Sequence, residues 1–127
     1  MYRPPSPPGI LAIDTTDKFG NRVILEQSRY EEHIIQGHAE MKENLVAIKD
    51  SIENPYMVLR SKKNADRWLY FAKSENSTYP RLSIKTIVDH SSEAGYGFVV
   101  TSLFQKKVIP DKEGELIYGH EQGQNKL

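Results

Sequence analysis

Ser51-Ile52-Glu53-Asn54-Pro55-Tyr56-Met57-Val58-Leu59-Arg60 is the stretch where the chain changes its period. Upstream, Leu45, Ile48 and Ile52 recur at helical spacing with Val46 beside them, which predicts a helix over 42–53. Asn54-Pro55 ends it, because the residue before a proline is pushed out of the helical region. Downstream the alternation is two-fold, and strands are expected at 56–61, 67–73, 81–89 and 97–104. The polar segments between them are short. They suit antiparallel hairpins and are too short for helical crossovers between parallel strands.

Working back from the switch, Ser28 and Glu31 have capping-box spacing at the head of a helix over 29–36. Tyr30, His33, Ile34 and Gly37 fall on one side of it, and Gly37 is a suitable C-terminal cap. Earlier still, Ile10-Leu11-Ala12-Ile13 and Arg22-Val23-Ile24-Leu25 flank a polar turn, as in a hairpin. Residues 1–9 hold four of the seven prolines and read as a flexible lead. Residues 110–127 read as a polar, fraying tail, leaving a single domain over 10–109. The fold class expected is α+β: two N-terminal helices on one face of a roughly four-stranded antiparallel sheet, with a short N-terminal hairpin.

The 127 residues allow one core of modest size. There is no cysteine, which rules out disulfides, thiol catalysis and cysteine-held metals. No apolar run approaches a membrane span, and the first nine residues lack the apolar stretch of a signal peptide, so a soluble, cytoplasmic protein is expected. Seventeen basic and seventeen acidic residues cancel, but unevenly along the chain. Residues 1–55 hold six Lys/Arg against nine Asp/Glu, a balance of −3, whereas 56–107 hold nine against four, or +5. Residues 108–127 hold two against four, or −2. The strand-rich middle is therefore the basic part, which suits a phosphate-rich ligand and equally suits a wet sheet face.

Alternation sorts the side chains. Leu82, Ile84, Thr86 and Val88 take the core side of one strand; Leu69 and Phe71, and Met57 and Leu59, take it in two others. In the last strand the larger aromatic set, Phe98, Val100 and Phe104, is placed inside. The outer face then collects Arg60, Trp68, Tyr70, Arg81, Ser83, Lys85 and Thr101: cations, aromatic platforms and small hydroxyls without a carboxylate until Asp89. Such a set can hold a phosphate and stack a base. It is also what the solvated face of a one-sided sheet carries.

Of the four histidines, His33 and His38 lie five apart, about 140° around an ideal helix. That is not the spacing of a helical zinc pair, so no metal site is expected. His90 beside Asp89, and His120 in the tail, have no partner recognisable in the sequence. Phosphate-binding glycine loops, nucleophile elbows and dinucleotide fingerprints are all missing.

The run Val23-Ile24-Leu25…Tyr30-Glu31-Glu32-His33-Ile34-Ile35-Gln36-Gly37-His38-Ala39-Glu40 resembles the "HI…RHPE"-like helix of the phage-associated barnase–EndoU–colicin–RelE-like nucleases (PBECR type). Ile52-Glu53-Asn54-Pro55, Trp68-Leu69-Tyr70-Phe71, Leu82-Ser83-Ile84-Lys85 and Val99-Val100-Thr101-Ser102 follow in the order of the later elements of those domains. The resemblance covers 23–107 and rests on order and spacing. Gly37-His38-Ala39-Glu40 lacks the basic residue and the proline of that pattern. It implies a small, metal-independent, toxin-like ribonuclease of phage or prophage origin that needs no cofactor. RNA, tRNA included, would be its substrate, and a cognate inhibitor protein is a partner such enzymes admit. In that chemistry a base takes the ribose 2′-OH proton, the oxygen attacks phosphorus, and an acid protonates the departing 5′-oxygen. His33 or His38 would be base or acid, Lys85 and Arg81 the phosphate clamp, Thr101 and Tyr70 its positioners. Trp68 would be a stacking platform, with Arg60 and Ser83 lining the substrate site. The competing readings are a non-catalytic module binding RNA or protein through the same face, and a phage structural or assembly domain.

Overall fold

The computed structural model describes residues 10–75, 77–93 and 95–119. The Pro-rich lead, and the tail from residue 120 with His120, lie outside the described residues. In chain order the elements are β1 (Leu11–Thr16), β2 (Arg22–Glu26), α1 (Gln27–Arg29), a π-helical turn (Tyr30–Ile34), α2 (Ile35–Gly37), a 3-10 turn (Ala39–Glu43) and α3 (Leu45–Glu53). Then come β3 (Met57–Ser61), β4 (Arg67–Lys73), β5 (Ser83–Asp89), β6 (Gly97–Gln105), α4 (Pro110–Glu113) and β7 (Gly114–Gly119). No helix among the described residues is long and apolar enough to cross a membrane.

The strands form one seven-stranded mixed sheet in the order β1-β2-β6-β5-β4-β3-β7. This overturns the four-stranded antiparallel sheet carrying two helices. β3 to β6 do form consecutive antiparallel pairs, but β2 joins β6 in parallel, and β7 adds to β3 as an edge strand. α3 is shorter than the helix expected over 42–53, starting at Leu45. Residues 27–37 are helical, but Tyr30–Ile34 is a π turn, and Ser28 does not cap it: the N-cap is Glu26, with no side-chain bond. The tail expected from residue 110 is ordered as α4 and β7 up to Gly119.

Both faces of the sheet are covered. On one, Val58, Tyr70, Ala72, Ile84, Val88 and Val99 pack against Tyr30, Ile34, Met41, Ile48 and Ile52 of the helical segment. A buried hydroxyl chain pins α3 to this face, from Ser51 Oγ to Thr86 Oγ1 (2.7 Å) and on to Ser102 Oγ (2.9 Å). On the other face, Met57, Leu59, Leu69 and Phe71 form a second cluster with Tyr56, Ile87 and Val108. The segment after β6 closes over it, and Gly114 is where the close approach is made. A Cβ there would lie 2.1 Å from the Arg60 carbonyl oxygen.

Two face assignments are thereby corrected. Met57, Leu59, Leu69 and Phe71 face away from the helices, and Val58, Trp68 and Tyr70 face toward them. In β6 a bulge changes the parity: Val88 pairs with Val99 while Ile87 pairs with Thr101, leaving Val100 as the extra residue. Val99, Ser102 and Phe104 consequently share the helix side, and neither simple alternation of that strand survives.

The sheet also curls. Its order puts β1 and β7 at opposite edges, yet Phe19 in the β1–β2 turn meets Tyr118 of β7, with ring centroids 6.0 Å apart. The site described next lies at that closure.

Candidate active site

Asp17, the first residue of the β1–β2 turn, is buried although it is charged. Its Oδ1 accepts the backbone N–H groups of Phe19 (2.9 Å) and Asn21 (2.8 Å), which is how an aspartate shapes a turn. Its Oδ2 accepts Asn21 Nδ2–H (3.1 Å) and the phenol of Tyr70 (2.6 Å) from the far side of the sheet. A buried carboxylate persists only with its lone pairs satisfied, and four donors meet that need here.

Tyr70 carries the chain onward. Its hydroxyl oxygen lies 3.0 Å from His90 Nε2. Burial, reinforced by the Asp17 carboxylate, pushes the Tyr70 phenol well above its ordinary range, so it stays protonated. The proton faces Asp17, the shorter and charge-assisted partner, and Tyr70 oxygen therefore accepts from His90 Nε2–H. This assigns the tautomer, leaving Nδ1 as the imidazole's acceptor. Among the described residues Nδ1 makes no hydrogen bond. Burial of the ring pulls the His90 pKa below its ordinary value, against the opposing pull of Asp17 and Asp89. The imidazole is thus oriented through Nε2, biased toward its neutral form, and without a hydrogen-bond partner on Nδ1 among the described residues.

His90 is on the wall of a depression of about 240 Å³ shared with Asn21, Trp68, Ser92, Gly95, Tyr96 and Gly97. Trp68 packs on the imidazole with centroids 4.6 Å apart. Across the strand gap, a Cβ on Gly97 would lie 2.9 Å from both Nδ1 and Cε1 of His90 and 2.7 Å from Val88 Cγ1. Only glycine leaves the ring its place. Gly97→Ala is expected to displace His90 and cost about 1–3 kcal/mol of stability, as overpacking does; chemical denaturation would read the loss, and a shifted His90 ring resonance the displacement. The larger cavity, about 420 Å³ between α3 and the far end of β3–β4, is lined by Asp50, Lys73 and Glu75 but no histidine.

The residues singled out in the sequence divide between the two faces. Tyr70 and Trp68 belong to this site, but as a buried relay and a half-buried wall rather than as members of an open sheet face. Arg60, opposite Trp68 in register, is exposed and pairs loosely with Glu115 across the edge (3.9 Å). Lys85 points the other way. Its Nζ lies 2.5 Å from Glu113 Oε1, and Gln105 Nε2 donates to the other carboxylate oxygen (2.7 Å). The expected phosphate clamp is thus occupied by an internal carboxylate. Lys85→Met should lower stability by about 1–2 kcal/mol through the orphaned Glu113 and leave RNA cleavage unchanged; a cleavage defect in a stably folded variant would reinstate Lys85 as a clamp.

Thr101, opposite Ile87, is on the same far face as Lys85. Ser83 Oγ shares a hydrogen bond with Tyr56 OH (2.8 Å). Arg81 is exposed in a shallow depression with Thr78, Tyr79, Pro80 and Leu82. His33 is exposed on the π turn, and among the described residues it has no side-chain hydrogen bond or ion pair. His38 is half-exposed, with Nδ1 3.8 Å from Glu40. The two helix histidines belong to the helical face while Lys85 and Thr101 point from the opposite one, so those four do not converge. Asp17 and His90 were missed as partners. A turn aspartate carries no sign of burial in the sequence, and the pairing of His90 depends on Tyr70 facing the helices. In comparisons with known protein families, curated proteins and solved structures, nothing matches this chain.

Proposed function

We propose that the chain is a metal-independent endoribonuclease, toxin-like and acting in the cytoplasm, in keeping with its resemblance to the phage-associated nucleases. It would cleave RNA by attack of the ribose 2′-oxygen on the adjacent phosphorus, with His90 as the base. One observation carries the reading: a buried chain from Asp17 through Tyr70 to His90 Nε2 that holds the imidazole at a pocket wall, with no hydrogen-bond partner on Nδ1 among the described residues. This is the orienter–base arrangement of acid–base catalysis, with an imidazole that burial biases toward the neutral, proton-accepting form.

In this reading the 2′-OH proton passes to His90 Nδ1, the 2′-oxygen bonds to phosphorus, and the bond to the 5′-oxygen breaks. That oxygen takes its proton from water at the open mouth of the pocket. The products are a 2′,3′-cyclic phosphate and a 5′-hydroxyl. The charge gathering on the phosphoryl oxygens would be met by Arg22, whose guanidinium lies 5.5 Å from the Tyr96 ring at the pocket rim. Arg22 is now paired with Asp14 (2.8 Å), but both are about half exposed, so exchanging that carboxylate for phosphate costs little. Buried Asp17 holds Tyr70, and Tyr70 holds the imidazole; neither touches substrate.

The test is incubation of the purified chain with tRNA and total RNA in excess EDTA, with end-group analysis. Fragments ending in 2′,3′-cyclic phosphate support the reading. RNA left intact, by a protein that still binds it, would favour instead a non-catalytic RNA-binding module. That second reading draws on one feature of the site, namely that among the described residues lining the pocket His90 stands without a second histidine, a lysine or a carboxylic acid that could act as the general acid.

A further inference from the structure

Four aromatic rings run outward from the pocket. His90 packs on Trp68, Phe19 meets Trp68 edge-on (5.6 Å, 89°), and Phe19 meets Tyr118 edge-on (6.0 Å, 82°). The outer two are large, apolar and open to solvent, Phe19 at 41% and Tyr118 at 36% exposure, and neither belongs to a core cluster. Hydrophobic burial alone does not account for rings placed this way. The hairpin tip that holds Phe19 is fixed by Asp17, the same residue that anchors the relay, so the platform and His90 are positioned by one side chain.

The surrounding charge decides what such a surface fits. Lys18 Nζ lies 3.9 Å from the Tyr118 ring centroid, and Lys18 has no carboxylate partner among the described residues. Arg60 projects beside Trp68 on the same face, its one carboxylate partner among the described residues being exposed Glu115 at 3.9 Å. Aromatic faces flanked by weakly engaged cations match unpaired bases joined by phosphates. An acidic peptide would use the cations and leave the rings idle; duplex RNA would hide its bases from them.

We propose that Phe19 and Tyr118 form a base-stacking subsite for single-stranded RNA, leading along Trp68 to His90, with Lys18 on the intervening phosphates. This deepens the ribonuclease reading and rests on it for the direction of the strand: a base stacked on Phe19 would belong to a nucleotide flanking the phosphate at His90. The enzyme would then take unpaired loops and ends and leave stems.

Trp68 is the single tryptophan of the chain, so its emission reports the subsite without a label. The full chain is titrated with a 2′-O-methyl RNA octanucleotide, which cannot undergo 2′-oxygen attack, and with the same sequence as a duplex. The expected result is saturable quenching by the single strand, binding about tenfold weaker for the duplex, and a Kd raised about tenfold in both Phe19→Leu and Tyr118→Ala. Phe19→Leu keeps apolar bulk at the hairpin tip and removes only the ring, and each variant's unfolding midpoint shows that it folds. Equal binding of strand and duplex, or an unchanged Kd in both folded variants, overturns the proposal. The two readings fail separately. Stacking without cleavage of unmodified RNA sinks the enzyme and leaves the platform; cleavage indifferent to Phe19 and Tyr118 sinks the platform and leaves the enzyme.

Discussion

His90→Ala is expected to lower the cleavage rate about 10³-fold, within the range a positioned general base contributes, while the protein keeps its fold. The fold should survive because the imidazole lies at a pocket wall, half-buried, and its removal leaves Tyr70 still donating to Asp17. His33→Ala and His38→Ala provide the contrast. Both side chains are outside the site, and each should leave cleavage within about twofold, the spread of surface substitutions with no catalytic role. Loss of cleavage in either, with His90→Ala active, would move the chemistry back to the helix.

The pH profile gives an independent reading of the same residue. Since burial lowers the His90 pKa, the group is less protonated in the folded state than a free histidine at the same pH. Activity should rise with pH through that lowered pKa, below about 6.5, and then level off. Stability follows the opposite limb of the same linkage. Above about pH 6.5 the group is neutral folded or unfolded and contributes nothing. As pH falls below that value, the unfolded chain takes up the proton first, and stability declines by up to about 1.4 kcal/mol per unit until the folded pKa is reached. A folded protein whose His90 titrates above 6.5 by NMR contradicts both limbs.

How far the sequence reveals this molecule depends on the cause of each feature. The strand positions from 56 to 105 were readable because turn chemistry and alternation are local. The sheet itself was not, since β7 rests on Leu116-Ile117-Tyr118, three apolar residues in a run of Gly, Glu and Gln that gives little local signal. Face assignment failed in β3 and β4 for a definite reason. Met57, Leu59, Leu69 and Phe71 form one apolar set and Val58, Tyr70 and Ala72 another, so both parities are apolar when both faces are covered. The rule used for a half-wet sheet then has nothing to choose between: the four residues placed inside are buried, but on the face away from the helices, and the set left outside is buried as well. That error placed Tyr70 on one face with Lys85, when the two point to opposite sides of the sheet. Tyr70 became a surface residue in expectation when it is the centre of the buried relay, and Lys85 was counted as a free cation when Glu113 already holds it.

Asp17→Ala should be the most damaging substitution to stability, at about 1.5–5 kcal/mol. Removing the carboxylate leaves the Tyr70 phenol, among the described residues, with the His90 ring alone as partner, and a buried hydroxyl left short of a partner costs about 1–3 kcal/mol. It also releases the backbone N–H groups of Phe19 and Asn21, whose loss resembles removal of a helix cap at about 0.5–2 kcal/mol. Total stability for a domain of this size is about 5–15 kcal/mol, so a large share is at risk. Two comparisons separate the contributions. Asp17→Asn keeps acceptor oxygen at the turn but loses the charge, and should recover part of the loss. The cycle of Asp17→Ala with Tyr70→Phe should show a coupling of about 1.5–3 kcal/mol, the value for a hydrogen bond to a charged group. If Asp17→Ala costs under 1 kcal/mol by urea denaturation, the carboxylate is not holding the turn, and the relay that orients His90 has no anchor. If the cost is large but the coupling is near zero, Asp17 serves the turn alone, and the orientation of His90 must come from Trp68 and Gly97 instead.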